Sequence, residues 1–215
     1  MAWVWSFPLQ CDPSTEASLL TLLSLSETAR AARFATPELR RRFVVSHGVL
    51  RLILSSFTGR PPHAIQILSE ARGKPYVMGR RPHFSLAHAE DVAVVAVANG
   101  GPVGVDVERV RADIGMDEFS RQALTDADGT EIEALPPEFR LRARFQAWTR
   151  REALAKATGE GLRERPSVSP LAWHTWELHL DEAHVGSVTT LPTTTQVVCE
   201  TIPHLSLVLS RFSPT

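Results

Sequence analysis

At 215 residues and 23.7 kDa the chain is long enough for one large domain or two small packed halves. Its 43% hydrophobic and 22% charged residues exclude a disordered or collagen-like chain, and the longest uncharged apolar run, Val92 to Ala98, is far too short to span a membrane. Twenty-three basic residues against 24 acidic ones leave a net charge of −1, so no global field favours a nucleic-acid partner.

The two cysteines, Cys11 and Cys199, stand far apart and in no metal-binding spacing, which excludes a zinc site or a disulfide framework built on them. The opening MAWVWSFPLQ has neither a basic region nor an apolar core of a secretion signal, and the expectation is a cytoplasmic protein with no membrane partner. Only two of the 23 basic residues are lysine, Lys74 and Lys156. A compact, strongly hydrated ammonium differs from a planar guanidinium, which makes those two positions worth following.

In chain order, Val4 to Phe7 suits a strand, and Glu16 to Arg33 carries Leu19, Leu22 and Leu23 at helical spacing. Thr36 followed by Pro37 opens a clearer helix, whose stripe of Leu39, Phe43, Leu50, Ile53, Leu54 and Phe57 ends near Gly59. The period then shortens to two. Val92 to Ala98 and Val103 to Glu108 read as strands, and Asn99-Gly100-Gly101 between them predicts a hairpin. In the second strand Val103, Val105 and Val107 share one face, leaving Gly104, Asp106 and Glu108 on the other. Pro136-Pro137 precedes a long helix from about Glu138 to Thr158, stopped by Gly159 and Gly161. The segments Trp173 to Leu180, Ser187 to Thr190, Gln196 to Thr201 and Leu205 to Phe212 read as β-rich. The expected fold is α+β, two similar halves related by a pseudo-twofold axis, each a small antiparallel sheet on helices, divided as 1–102 and 103–215 with the active site between them.

Asp106 and Glu108, two apart on a strand, project from one face with Cα atoms about 6.6 Å apart. Two such carboxylates can share a hard cation such as Mg²⁺, although the spacing alone equally suits the wet face of an edge strand. Glu152 and Lys156, four apart on the long helix, share a face as well. Taken alone they are an ordinary surface ion pair. Trp148 lies one turn earlier on the same face, and the glycine-rich stop follows at once.

The motifs together carry more than each does singly. Gly104-Val105-Asp106-Val107-Glu108 resembles the G-V-D-[VI]-E motif, and Trp148 to Lys156, WTRREALAK, resembles the W-x-x-K-E-A-x-x-K motif, of 4'-phosphopantetheinyl transferases of the surfactin-synthetase-activating (Sfp-like) type. Upstream, Arg72-Gly73-Lys74-Pro75-Tyr76 is similar to the family's G-[RK]-P segment, and Phe84 to Ala89, FSLAHA, to its F-N-x-S-H-S segment. Arg30, Arg33-Phe34 and Arg42 fall where the family carries early basic residues, so the resemblance covers roughly residues 26 to 162. Both lysines lie on motif positions. Arg151 stands where the family has lysine, which keeps the charge and changes its geometry. Ala87 and Ala89 stand for serines and Ser85 for asparagine, read here as a loss of phosphate-bonding groups that lowers donor affinity.

The resemblance implies transfer of the phosphopantetheine arm of coenzyme A to a serine of an apo acyl or peptidyl carrier protein, with release of 3',5'-ADP and a need for Mg²⁺. On that reading Asp106, Glu108 and Glu152 hold the metal, Glu152 also takes the serine proton, and Lys156 bonds the α-phosphate region and steadies the leaving 3',5'-ADP. Lys74, Pro75 and His88 cradle the coenzyme A phosphates, with Arg30 and Arg42 nearer the nucleotide. Asp113 to Leu124, with Ile114 and Met116, is expected to help dock the carrier while Phe119 packs into the core, and a monomer with no nucleic-acid partner suffices. Two other readings stay open: a non-catalytic homologue that binds coenzyme A or a carrier, and a different Mg²⁺-dependent enzyme cleaving phosphodiesters with the same carboxylates. Fatty-acid, polyketide and nonribosomal-peptide carriers are equally compatible with the sequence.

Overall fold

The computed structural model describes residues 1–112, 124–161 and 172–212. It is a mixed α+β structure of small sheets and helices. The elements are β1 (Ala2–Pro8), α1 (Pro13–Leu20), α2 (Leu25–Ala31), α3 (Pro37–Thr58), β2 (Ile67–Ser69), β3 (Pro75–Val77), β4 (His83–Ala89), β5 (Val92–Ala98) and β6 (Val103–Arg109), then α4 (Asp126–Glu133), α5 (Pro137–Thr158), β7 (His174–Leu178), β8 (His184–Thr190), β9 (Val197–Thr201) and α6 (Leu205–Phe212).

Among the described residues one sheet runs β4-β5-β1-β9, a second runs β6-β8-β7, and β2 pairs with β3. Alternation along the strands stacks these layers. Trp5, Phe7, Ala93, Val95 and Val97 face α3, where Val44, Val45, Val49 and Ile53 complete a core. Their neighbours Val4, Val94, Ala96 and Ala98 face the opposite way, onto Val103, Val105, Val107 and Val188 of the second sheet. The outer face of that second sheet carries α5. The uninterrupted apolar run Val92 to Ala98 is thereby explained, since β5 is covered on both faces and each buried valine is worth about 1.5–3 kcal/mol.

Three readings of the sequence need correction. The expected hairpin of β5 and β6 does not form: β1 and β4 occupy both edges of β5, and β6 pairs antiparallel with β8 instead. Residues Asn99 to Pro102 therefore cross between sheets. The single helical stretch from Glu16 to Arg33 is two helices, because Ser24 and Glu27 form a capping box that starts α2 afresh. Leu205 to Phe212 is a helix rather than a strand, and its Leu205, Val208, Leu209 and Phe212 follow the helical period onto the α3 core. Strand β9 precedes it, running parallel to β1, so the end of the chain returns to the first sheet.

The two long helices begin and end as the sequence predicts. Thr36 accepts from the Leu39 N–H to cap α3, and Gly59 and Gly159 close α3 and α5 at φ of +64° and +74°, where a side chain would be strained. Among the described residues no helix is long and apolar enough to cross a membrane.

Candidate active site

The site is built where α5 lies across β6. Gly104 sets the separation: a Cβ there would stand 2.0 Å from the Ala153 carbonyl oxygen and 2.3 Å from the Ala157 nitrogen, so only glycine lets strand and helix backbones approach this closely. Two residues further along β6, Asp106 faces the helix and is only 5% exposed. The Lys156 ammonium donates to its Oδ1 at 2.6 Å. Its Oδ2 is buried with no hydrogen-bond partner. Glu108, the next residue on that face, accepts from the Trp148 indole N–H at 3.2 Å.

Burial raises the pKa of the Asp106 carboxyl to about 7, an effect that Lys156 partly offsets and that the charges of Glu108 and Glu152 reinforce. Glu108 is likewise pushed up, first by burial, with the Trp148 contact opposing. The charges of neighbouring carboxylates thus add to the cost of ionising Asp106 and Glu108, around a buried oxygen that lacks a donor. Among the described residues no three His, Cys, Asp or Glu side chains yet converge at ligating distance. The donor set nonetheless suits a hard divalent cation, since all three groups offer oxygen and the orphan Oδ2 needs a positive partner.

A cleft of about 280 Å³ opens beside these carboxylates, lined among others by Lys74, Pro75, Phe84, Glu152, Lys156 and Gly161. Lys74 donates to the Ala157 carbonyl near the C-terminal end of α5, tying the loop before β3 to the helix that carries Glu152. Burial lowers its pKa to about 8, with Glu70 opposing. A second cleft of about 450 Å³ shares Gly73, Pro75, Phe84 and Leu86 with the first and brings in Arg30, Arg33, His47 and Arg51. Here Arg30 lies over the Phe43 ring at 5.0 Å and the buried Arg51 pairs with Glu27. One groove therefore runs from an arginine-lined end to an end lined by Lys74, Lys156 and Glu152, with Asp106 behind Lys156.

The remaining sequence candidates fall at its margin. Arg42 is not in the lining with Arg30: one terminal nitrogen donates to Glu38 at 2.6 Å, its Nε is buried without a partner, and its charge bears on His88 and Glu90. His88 is exposed on β4, its basicity lowered first by burial of part of the ring and then by the charges of Lys156 and Arg42. Of the segment expected to dock the carrier, Asp113 to Leu124, residues 113–123 lie outside the described residues.

The reading of Ala87 and Ala89 as lost phosphate contacts is corrected, whereas Ser85 lines the cleft of about 280 Å³. Ala87 and Ala89 are buried in the apolar layer against Val103, Val105 and Val107, and the Ser85 hydroxyl accepts from the Val105 N–H at 3.1 Å. All three face the second sheet, the side of β4 opposite to Leu86 and His88. Missed altogether were Gly104 as a spacer, the Trp148 bond to Glu108, and the Arg51–Glu27 pair. Period-two alternation from His88 could have exposed the first error; nothing local announces contacts across 24 or 40 residues.

A buried and a half-buried carboxylate on one strand face a Glu and a Lys on one helix beside a basic groove, an arrangement whose charges suit a polyanion and a cation. The sequence comparisons agree with that class. Residues 102–207 match the family model of the 4'-phosphopantetheinyl transferase superfamily. The chain is 34% identical over 169 residues to the 4'-phosphopantetheinyl transferase HetI of Nostoc sp., covering 77% of this chain and 71% of that protein. It is 31% identical over 149 residues to the 4'-phosphopantetheinyl transferase psf-1 of Bacillus pumilus (67% and 61% covered) and 28% over 144 to a putative 4'-phosphopantetheinyl transferase of Synechocystis sp. (66% and 58%). The chain belongs to the 4'-phosphopantetheinyl transferase superfamily.

Proposed function

We propose that the protein transfers the 4'-phosphopantetheine arm of coenzyme A to a serine of an apo carrier protein, in the manner of the surfactin-synthetase-activating type, in a Mg²⁺-dependent reaction. The observation that carries this is the buried Asp106, with Lys156 on one oxygen and nothing on the other, flanked by Glu108 and Glu152 at the mouth of a basic groove. Asp106, Glu108 and Glu152 would hold the Mg²⁺, which when bound supplies positive charge to the diphosphate as its bridging bond breaks.

The side chains divide the remaining work. Arg30 and Arg33 draw the nucleotide end into the wider cleft, while Lys74 and Arg42 neutralise phosphate oxygens nearer the reacting centre and His88, its basicity lowered, donates a hydrogen bond to them. Pro75 and Phe84 form the wall that the two clefts share. Glu152 accepts the proton of the carrier serine, whose oxygen bonds to the pantetheine phosphorus as the phosphorus–oxygen bond to the nucleotide breaks. Lys156 stabilises the charge that collects on the departing 3',5'-ADP. The two halves, 1–102 and 103–215, act as pseudo-twofold partners that meet at this groove, with β9 and α6 bound back on the first. A monomer in the cytoplasm suffices for this chemistry.

Intact-mass spectrometry of apo carriers from fatty-acid, polyketide and nonribosomal-peptide systems, incubated with coenzyme A and Mg²⁺, tests the reading. A gain of one phosphopantetheine group is expected, lost in EDTA and reduced at least about 1,000-fold in Glu152→Gln, whose melting temperature stays within a few degrees of the parent. Coenzyme A binding with no transfer to any carrier would favour the non-catalytic reading. Cleavage of coenzyme A without an acceptor would favour a hydrolase.

A further inference from the structure

Gly104 fixes how near α5 comes to β6, but it does not fix how the helix is rotated or where it sits along its axis. Those two degrees of freedom decide whether Glu152 and Lys156 face Asp106. A second contact constrains them. Ser187 is the direct antiparallel partner of Asp106, and opposed residues point to the same side of a sheet. Its hydroxyl lies 2.9 Å from that of Thr149, on the helix turn immediately before Glu152.

The shortest contacts of this cluster form one consistent chain of donors, with a longer contact from Gln146 Nε2 to Thr149 Oγ1 at 3.3 Å beside them. The Thr149 hydroxyl donates to the Gln146 carbonyl at 2.9 Å, which leaves the Ser187 hydroxyl to donate to Thr149 Oγ1. Gln146 Nε2 then donates to Ser187 Oγ at 2.9 Å and to the Gly186 carbonyl at 3.0 Å. Thr149 and Ser187 are both 0% exposed. A buried hydroxyl that loses its partner costs about 1–3 kcal/mol, so the cluster holds one register and resists its neighbours. Thr149 is seven residues, almost two whole turns, before Lys156, and therefore stands on nearly the same line of the helix.

We propose that the Gln146–Thr149–Ser187 cluster is a positioning device for the metal and transfer chemistry: it locks the rotation and axial setting of α5, so that Glu152 and Lys156 converge on Asp106. The proposal rests on the function proposed above. Gly104 holds the helix on one side of Asp106 and the hydroxyl cluster holds it on the other. None of the three residues touches substrate. The cost of losing them falls on steps that need the carboxylates aligned, and donor recognition by the arginine-lined cleft is spared.

Thr149→Val keeps the shape and removes the hydroxyl, Thr149→Ser keeps the hydroxyl, and Ser187→Ala removes its partner. In carrier modification, Thr149→Val and Ser187→Ala are each expected to lower kcat about tenfold and raise the half-saturating Mg²⁺ several-fold, with KM for coenzyme A within about twofold of the parent. Thr149→Ser should restore both parameters. The rise in melting temperature on adding Mg²⁺ with coenzyme A should shrink in the first two variants and recover in the third. A lowered melting temperature with kcat and Mg²⁺ dependence unchanged would reduce the cluster to a structural brace, and a Thr149→Ser variant as impaired as Thr149→Val would remove the hydroxyl from the argument. If the parent transfers nothing yet is stabilised by Mg²⁺ with coenzyme A, the transferase reading fails and the stabilisation data alone decide the positioning. If it shows neither, both proposals fall.

Discussion

The two ends of the groove handle charge in opposite ways. At the arginine-lined end, the buried Arg51 is held by an ion pair and two carbonyls, its Nε bonded to Glu27 and one terminal nitrogen to the carbonyls of Pro62 and Ile65. At the carboxylate end, Asp106 is almost as deeply buried but keeps one oxygen unsatisfied and two further carboxylates near it. The first arrangement is that of a scaffold. The second leaves one buried acceptor oxygen unbonded, which suits the cation that the proposed function calls for, because a buried polar atom without a bond is costly.

That contrast can be broken by experiment. The largest effect should come from Arg51→Ala, which strands Glu27 beside the cap of α2 and should destabilise the protein by about 3–5 kcal/mol in urea unfolding. Asp106→Asn, by contrast, removes a charge from a crowded site and leaves Lys156 near water, so metal-free stability should change by less than about 1 kcal/mol. Comparable losses in the two variants would erase the distinction between scaffold and waiting site.

The next effect is a pH dependence that His47 contributes at the arginine-lined end. His47 stacks on Phe43 and its Nδ1–H donates to the Phe43 carbonyl; burial lowers its pKa to about 4. The unfolded chain, near 6.5, binds the proton first, so between about pH 6.5 and pH 4 the folded state loses up to about 3 kcal/mol as the pH falls. Above pH 6.5 this contribution is fully present. Unfolding curves at pH 7 and pH 4.5 for the parent and His47→Gln should show the variant's stability falling less, and equal slopes would exclude His47 as the source.

The smallest predicted effect sharpens the wall between the two sheets. Ala87→Ser restores the residue that the family motif carries, yet the structure turns this position away from the groove and into the apolar layer. A loss of about 1 kcal/mol in stability is expected, with coenzyme A affinity unchanged in calorimetry. Tighter binding would mean that β4 presents its other face to the donor.

The comparison also explains what could be read early. Val103, Val105 and Val107 alternate with Gly104, Asp106 and Glu108, and that period of two already put both carboxylates on one face. The caps at Thr36 and Gly59 and the stop at Gly159 bounded both long helices for equally local reasons. The β5–β6 hairpin failed as an expectation because a turn signal acts over four residues, whereas strand pairing was settled by which edges β1 and β4 left free. Leu205 to Phe212 was misread because a short apolar run fits either period until α3 offers it a surface.

By itself, then, the sequence determined the family, the residue types available for chemistry, and the face of the strand or helix on which each stands, since these depend on side-chain identity and on local periodicity. Only the tertiary structure decided that Gly104 would meet the backbone of α5, that Ser187 would stand beside Asp106, and that Lys74 would reach Ala157. Those contacts join residues tens of positions apart, and they are selected by the burial of whole faces against one another, a property of the assembled layers that no short stretch of chain carries.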